Sequence, residues 1–160
     1  TYYYPVNAGI KNFIQKLGNL TVRSHINVYT FKHSYSLIRH QKTLLDSVHE
    51  NREIFFSYAQ GTNESTLVIS AAAHDLVMRI FRDEGMLNQK TNLASLSILL
   101  PIENTEISGI YYYIFKNLAW EDINIVEVIS TTNEFTILVD EKDIDRSFSI
   151  LRRMKHKANV

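Results

Sequence analysis

The sequence predicts an α+β protein made of two βαββα repeats behind a short N-terminal helix. Three observations predict it. Strand-like and helix-like segments appear twice in the same order. A 70-residue shift lays one set on the other. The apolar residues of each helix-like segment fall on one face.

The elements follow in chain order. Ile10, Phe13, Ile14 and Leu17 stand at helical spacing within 6–17, and Gly18 follows where a helix stops. From Ser24, residues Ile26, Val28 and Thr30 alternate as in a half-buried strand. Leu37, Gln41, Leu44, Leu45 and Val48 mark a helix face. Ile54 to Ala59 and Thr66 to Ser70 read as a hairpin around Gln60-Gly61-Thr62-Asn63. Ser70 is placed to cap a helix that buries Leu76, Val77, Ile80 and Phe81 and ends at Gly85.

The second set begins with a strand at Leu96 to Leu100, stopped by Pro101. Ile107, Ile110, Tyr111, Ile114, Phe115 and Leu118 form an amphipathic helix. Asn124 to Ser130 and Phe135 to Val139 form a hairpin. Asp140, with Asp143 in capping-box position, opens a last helix that buries Ile144, Phe148 and Leu151. Arg152, Arg153 and Lys155 lie in its final turns and complement its dipole.

The shift carries residue identities as well as element order. Thr62-Asn63-Glu64-Ser65-Thr66 falls on Thr132-Asn133-Glu134-Phe135-Thr136, identical at four of five positions. Asp75 falls on Asp145, Ile80 on Ile150, and Leu45 and Val48 on Phe115 and Leu118. Internal duplication follows. The division expected is 1–22 helix and linker, 23–91 first repeat and 92–160 second repeat. A strand-helix-strand-strand-helix unit is most of a ferredoxin-like plan, which needs a fourth strand. Leu87 to Lys90 is a weak candidate for the first repeat. For the second, His156 to Val160 is a poor strand, which leaves Leu20 to Arg23 or pairing with another chain.

Bulk properties narrow the function classes. The chain has 160 residues, 45% of them hydrophobic and 21% charged, enough for a core and against disorder. Lys plus Arg and Asp plus Glu balance at 17 each, so no long-range pull toward nucleic acid or acidic membranes is expected. Cys is absent, which removes disulfides and thiol nucleophiles and suits a reducing, cytoplasmic setting. No apolar run is long enough to span a bilayer, and the start has no signal-peptide pattern. The start also lacks Met, so a fragment of a longer protein is expected.

The run GIYYYIFKNLAWEDINIVEVISTTNEFTILVDEKDIDRSFSIL, from Gly109 to Leu151, resembles the C-terminal ACT repeat of aspartokinases. The resemblance rests on Gly109, Phe115, Leu118, Ile123-Asn124-Ile125, Ile129-Ser130-Thr131, Glu134 and Val139-Asp140, in order. It extends over about 60 residues from Leu93 and is architectural only over Ser24 to Phe81. It implies two ferredoxin-like, ACT-type repeats (βαββαβ) with antiparallel sheets, without a kinase domain. It also implies an amino-acid effector held between repeats or subunits. On this resemblance the ligand-binding candidates are Asn104, Ser108, Gly109 and Ile110, then Asn124, Ile125, Val126 and Glu127. Ser130, Thr131, Asn133 and Glu134 are secondary hairpin candidates. Helix N-terminal N–H groups favour a carboxylate, and carbonyls with an acidic side chain favour an ammonium. Two departures stand out: Ser108-Gly109 replaces the family's Pro-Gly, and the 102–107 loop is long. The first repeat has Arg39 at the position of Gly109, so it is less suited to the same ligand.

Other features have plainer readings. His33 and His40 are seven apart, with no second pair at metal spacing. Asp140, Glu141, Asp143 and Asp145 lack calcium-loop spacing and fit helix capping. Tyr111 belongs on the core face, leaving Tyr112 and Tyr113 for an interface; Trp120 suits a helix end or interface. The basic residues from Arg152 to Lys157 read as a solvated helix end. There is no Gly-X-Ser-X-Gly elbow and no phosphate-cradling glycine loop. The expectation is a non-catalytic regulatory module, without metal or cofactor, that binds an amino acid and forms a homodimer. The alternative is a ligand-free dimerisation or interaction module, the C-terminal part of a transcriptional regulator. Nucleic acid would then be met only through a region upstream of Thr1.

Overall fold

The computed structural model describes residues 8–101 and 109–157. Its elements are α1 (Ala8–Gln15), β1 (Leu20–Lys32), α2 (Leu37–Val48), β2 (Phe56–Gln60), β3 (Glu64–Ser70), α3 (His74–Ile80) and β4 (Met86–Leu99), then α4 (Ile110–Trp120), β5 (Glu127–Ser130), β6 (Glu134–Asp140) and α5 (Ile144–Lys157). Turns of 3-10 helix, Ala71–Ala73 and Glu141–Asp143, lead into α3 and α5.

The residues divide into two compact units, one of 24–93 and one joining the chain up to Arg23 with the chain from Ala94. In the first unit the strand order is β2-β3-β1-β4. In the second it is β1-β4-β6-β5. Numbered within each repeat, both orders read 2-3-1-4 or its reverse, the ferredoxin-like plan. The fourth strand of the second repeat is therefore Leu20–Arg23, the leading end of β1. The described residues His156 and Lys157 are helical instead.

Each repeat packs its helices on its sheet. In the first unit Leu37, Leu44 and Val48 of α2 and Val77 of α3 meet Tyr29, Phe31, Leu67 and Ile69. In the second, Ile110, Ile114 and Leu118 of α4 and Ile150, Leu151 and Met154 of α5 meet Leu96, Ile98, Phe135, Ile137 and Val139, joined by Phe13 and Ile14 of α1. Each such side chain contributes roughly 1.5–3 kcal/mol on burial.

The hairpins confirm the 70-residue register. Tyr58 pairs Leu67 and Val128 pairs Ile137. Gly61 N donates to Glu64 O at 2.8 Å, and Thr131 N to Glu134 O at 2.9 Å. The first strands follow a different register of 67. His33 N donates to Asn63 O and Leu100 N to Asn133 O. The buried residues 26–29 match 93–96 in the same way. His25 and Asn92, both left-handed at φ +58 and +55, are also 67 apart. The second repeat therefore carries three extra residues between its first strand and first helix.

Several local expectations shift. The weak strand at Leu87 and the strand at Leu96 are one continuous β4. The strand expected from Asn124 begins at Glu127, although Val126 N already donates to Leu138 O at 2.7 Å. Ser70 does not cap a helix; its hydroxyl accepts from Phe55 N at 2.8 Å and anchors the chain before β2. Asp140 caps the 3-10 turn through Lys142 N, and Asp143 reaches forward to Arg146, so the capping box does not close. Tyr111 is 37% exposed, and Tyr113 is the tyrosine turned inward, because α4 sets Ile110, Ile114 and Leu118 at the centre of its buried face. Val6 and Ile107 lie outside the described residues.

Candidate functional site

The resemblance residues cluster at the start of α4 and along β5 and β6. Gly109 precedes α4 with φ +85, a left-handed conformation that glycine adopts without strain. A Cβ there would meet Ile10 Cδ1 at 3.5 Å, ordinary contact, so the backbone and not crowding calls for glycine. No side chain caps α4 among the described residues. Its leading N–H groups, which a helix cannot satisfy itself, thus have no side-chain acceptor among the described residues. Ile110 is buried in the core and fixes the helix start. Asn104 and Ser108 lie outside the described residues.

The structure brings this helix start to the hairpin. Tyr111 Oη stands 3.0 Å from Ser130 Oγ, and the Tyr111 ring lies 5.0 Å from that of Phe135. Leu100 N donates to Asn133 O at 2.7 Å, tying the end of β4 to the hairpin turn. Gly109, Ile110, Ser130, Thr131, Asn133 and Glu134 therefore share one end of the second unit. Thr131, Asn133 and Glu134 are exposed there, and Thr131 and Asn133 contribute only backbone bonds.

The other candidates stand at the opposite end of β5. Asn124 is exposed, Ile125 packs against the core, and Glu127 is half-buried at the first position of the strand. Glu127 is about 10 Å up-strand from Ser130 at strand rise. The candidates thus form two groups, and Tyr111, assigned to the core by periodicity alone, is the residue that bridges helix and strand.

Two clefts of this unit among the described residues lie elsewhere. One of 310 Å³ runs between α4 and α5, lined by Tyr113, Lys116, Trp120, Glu121, Arg153 and Lys157 among others. Another of 460 Å³ lies beside Leu20, Phe148 and Arg152. Neither contains a candidate residue, and the first is a groove between exposed helix faces. The described residues contain no cluster of His, Asp or Glu suited to a metal. They also contain no helix long and apolar enough to cross a membrane.

No protein-family model matches the chain, and no curated protein is similar to it in sequence. By fold it is similar to the aspartokinase alpha and beta subunits, at 17% identity and TM-score 0.66 over 90% of this chain and 99% of that one. It is similar to the regulatory subunit of aspartate kinase from Thermus thermophilus at 8% identity and TM-score 0.64, over 86% and 97% of the two chains. It also matches E. coli aspartokinase III, solved in complex with lysine and aspartate, at 12% identity and TM-score 0.63. There it spans 86% of this chain and 32% of the enzyme. The fold is the one these aspartokinase structures share. The chain corresponds to nearly the whole of the regulatory subunits and to about a third of the complete E. coli enzyme.

Proposed function

We propose that this chain is a non-catalytic regulatory module that binds a small amino acid through its second repeat. The observation that carries this reading is Gly109. Its left-handed backbone opens α4, with no capping side chain among the described residues, beside the exposed hairpin end. Uncapped N–H groups at a helix start suit a carboxylate. Asn124 and Glu127, at the far end of β5, suit the ammonium of a ligand shared with a second repeat or subunit. The E. coli enzyme that shares this fold was solved with lysine and aspartate, which makes amino acids the class to screen. The setting that fits such a module is the cytoplasm, as a homodimer.

The test is a thermal-unfolding screen of the twenty amino acids at millimolar concentration. A ligand at 100 times its Kd stabilises by about 2.7 kcal/mol. One amino acid should raise the melting temperature, and Asn124→Ala or Glu127→Ala should remove the response. No shift with any of the twenty overturns the proposal.

A second reading is favoured by one observation: Trp120 is 85% exposed at the end of α4, with Tyr112 exposed on the same helix. Exposed aromatics at this density suit an interface. On that reading the chain is a ligand-free dimerisation module, and any nucleic acid is bound by a region upstream of Thr1. Light scattering separates the two. A dimer that forms without ligand, in a chain that responds to no amino acid, supports the second.

A further inference from the structure

In the unit 24–93, the Glu84 carboxylate is drawn into the loop that leads from β1 to α2, and its side chain is 2% exposed. Ser34 Oγ donates to Oε2 at 2.6 Å and Ser36 Oγ to Oε1 at 2.5 Å. His40 Nδ1 stands 2.8 Å from the same Oε1. Ser36 precedes α2 and is the natural capping residue, yet its hydroxyl makes no cap bond and goes to Glu84 instead. Three polar side chains within seven residues thus converge on one carboxylate brought from 44 to 50 residues away.

Among the described residues of the other repeat, nothing of this kind appears. The 70-residue register puts Ile110 at the position of His40 and Met154 at that of Glu84. They are 2% and 3% exposed and belong to the apolar core. The fold does not need the His40–Glu84 pair, since its twin fills those two positions with hydrocarbon. Hydrocarbon is the cheaper filling, because a buried charge must recover its desolvation through good bonds.

We infer that Ser34, Ser36 and His40 form a carboxylate-binding cradle that Glu84 fills as a tethered ligand. The class of ligand it accepts is a small monocarboxylate. A tethered group acts at an effective concentration of millimolar or above. Glu84 therefore closes the first repeat to free carboxylates of ordinary affinity. Where the amino-acid reading of the second repeat also holds, the chain takes one effector and not two. The cradle itself does not depend on that reading.

The probe is sodium acetate, with sodium chloride at equal ionic strength as the control, on the full chain at neutral pH. Glu84→Ala should melt below the wild type, and acetate should raise its melting temperature saturably, by about 2–4 °C. The wild type and the space-filling Glu84→Gln should respond no more to acetate than to chloride. Adding Ser34→Ala and Ser36→Ala to Glu84→Ala should abolish the response. If Glu84→Ala is unfolded, circular dichroism takes over the readout: recovery of helix with acetate and not chloride supports the cradle. Equal responses to the two salts in Glu84→Ala overturn it, as does an acetate effect that survives loss of both serines. Because no amino acid is used, failure here leaves the Gly109 proposal untouched.

Discussion

The hydroxyl of Tyr29 lies 2.7 Å from Nδ1 of His74, and the two rings stack with centroids 6.0 Å apart. Asn27 Nδ2 donates to the same hydroxyl at 3.0 Å. Burial pushes the Tyr29 phenol above its ordinary value, so it stays neutral and keeps its proton for bonding. Tyr29→Phe removes the hydroxyl and leaves Asn27 buried without it. We expect a loss of about 1–3 kcal/mol in urea denaturation. The second repeat has Ala94, Leu96 and Ile144 at the positions of Asn27, Tyr29 and His74. Replacing all three with those residues should cost less than Tyr29→Phe alone. A larger cost would show that the network does more than satisfy itself.

Acid should weaken the Glu84 network in a defined window. Burial raises the Glu84 carboxyl, but bonds from Ser34, Ser36 and His40, with the imidazole charge, outweigh it and leave the group below its ordinary value of 4.5. The unfolded chain then binds this proton more readily than the folded one. The stabilisation is complete above about 4.5 and is lost as the pH falls through the lower folded value. Urea midpoints measured from pH 6 to 3 should drop more steeply for the wild type than for Glu84→Gln. Parallel curves would contradict this.

The two glycines Gly18 and Gly109 should fail for different reasons. A Cβ on Gly18 would sit 2.8 Å from Leu99 Cβ, and Gly18 N donates to Leu99 O at 2.9 Å. Gly18→Ala should cost about 1–3 kcal/mol by crowding, and less in a Leu99→Gly background. Gly109→Ala has room but keeps φ +85, a strain of about 1–2 kcal/mol. Gly109→Asn should recover part of it, since Asn tolerates that conformation. Denaturation of the single and double variants decides both points.

Ser65 is 1% exposed, and its hydroxyl has no hydrogen-bond partner among the described residues. Its register counterpart is Phe135, whose ring meets those of Tyr111 and Phe115. Ser65→Ala should stabilise the chain by about 1 kcal/mol, because an unpaired buried hydroxyl costs more than a methyl. Phe135→Ala should destabilise it by about 3–5 kcal/mol. A lower midpoint for Ser65→Ala would mean that the hydroxyl is bonded.

Much of the fold was legible because its signals are local. The match of Thr62–Thr66 to Thr132–Thr136 located both hairpins, and each helix face was written at helical spacing. Gly109 was legible too, as a glycine opening a helix. Tyr111 was misread because α4 carries apolar residues on neighbouring faces, and periodicity does not say which one meets the sheet. Ser70 was misread because its partner, Phe55 N, stands 15 residues away, just before another strand.

By itself, then, the sequence determined the duplication, the order of the elements and the glycine at the start of α4. The 70-residue match carries the first, short-range periodicity the second, and the resemblance of residues 109–151 to an ACT repeat the third. Only the tertiary structure decided how long β1 and β4 run, since residues 21–25 and 87–92 are exposed and show no alternation. It also decided that the second repeat takes its fourth strand from Leu20–Arg23, and that Glu84 reaches Ser34, Ser36 and His40. Those pairings join residues tens of positions apart, and they exist only once the chain has closed on itself.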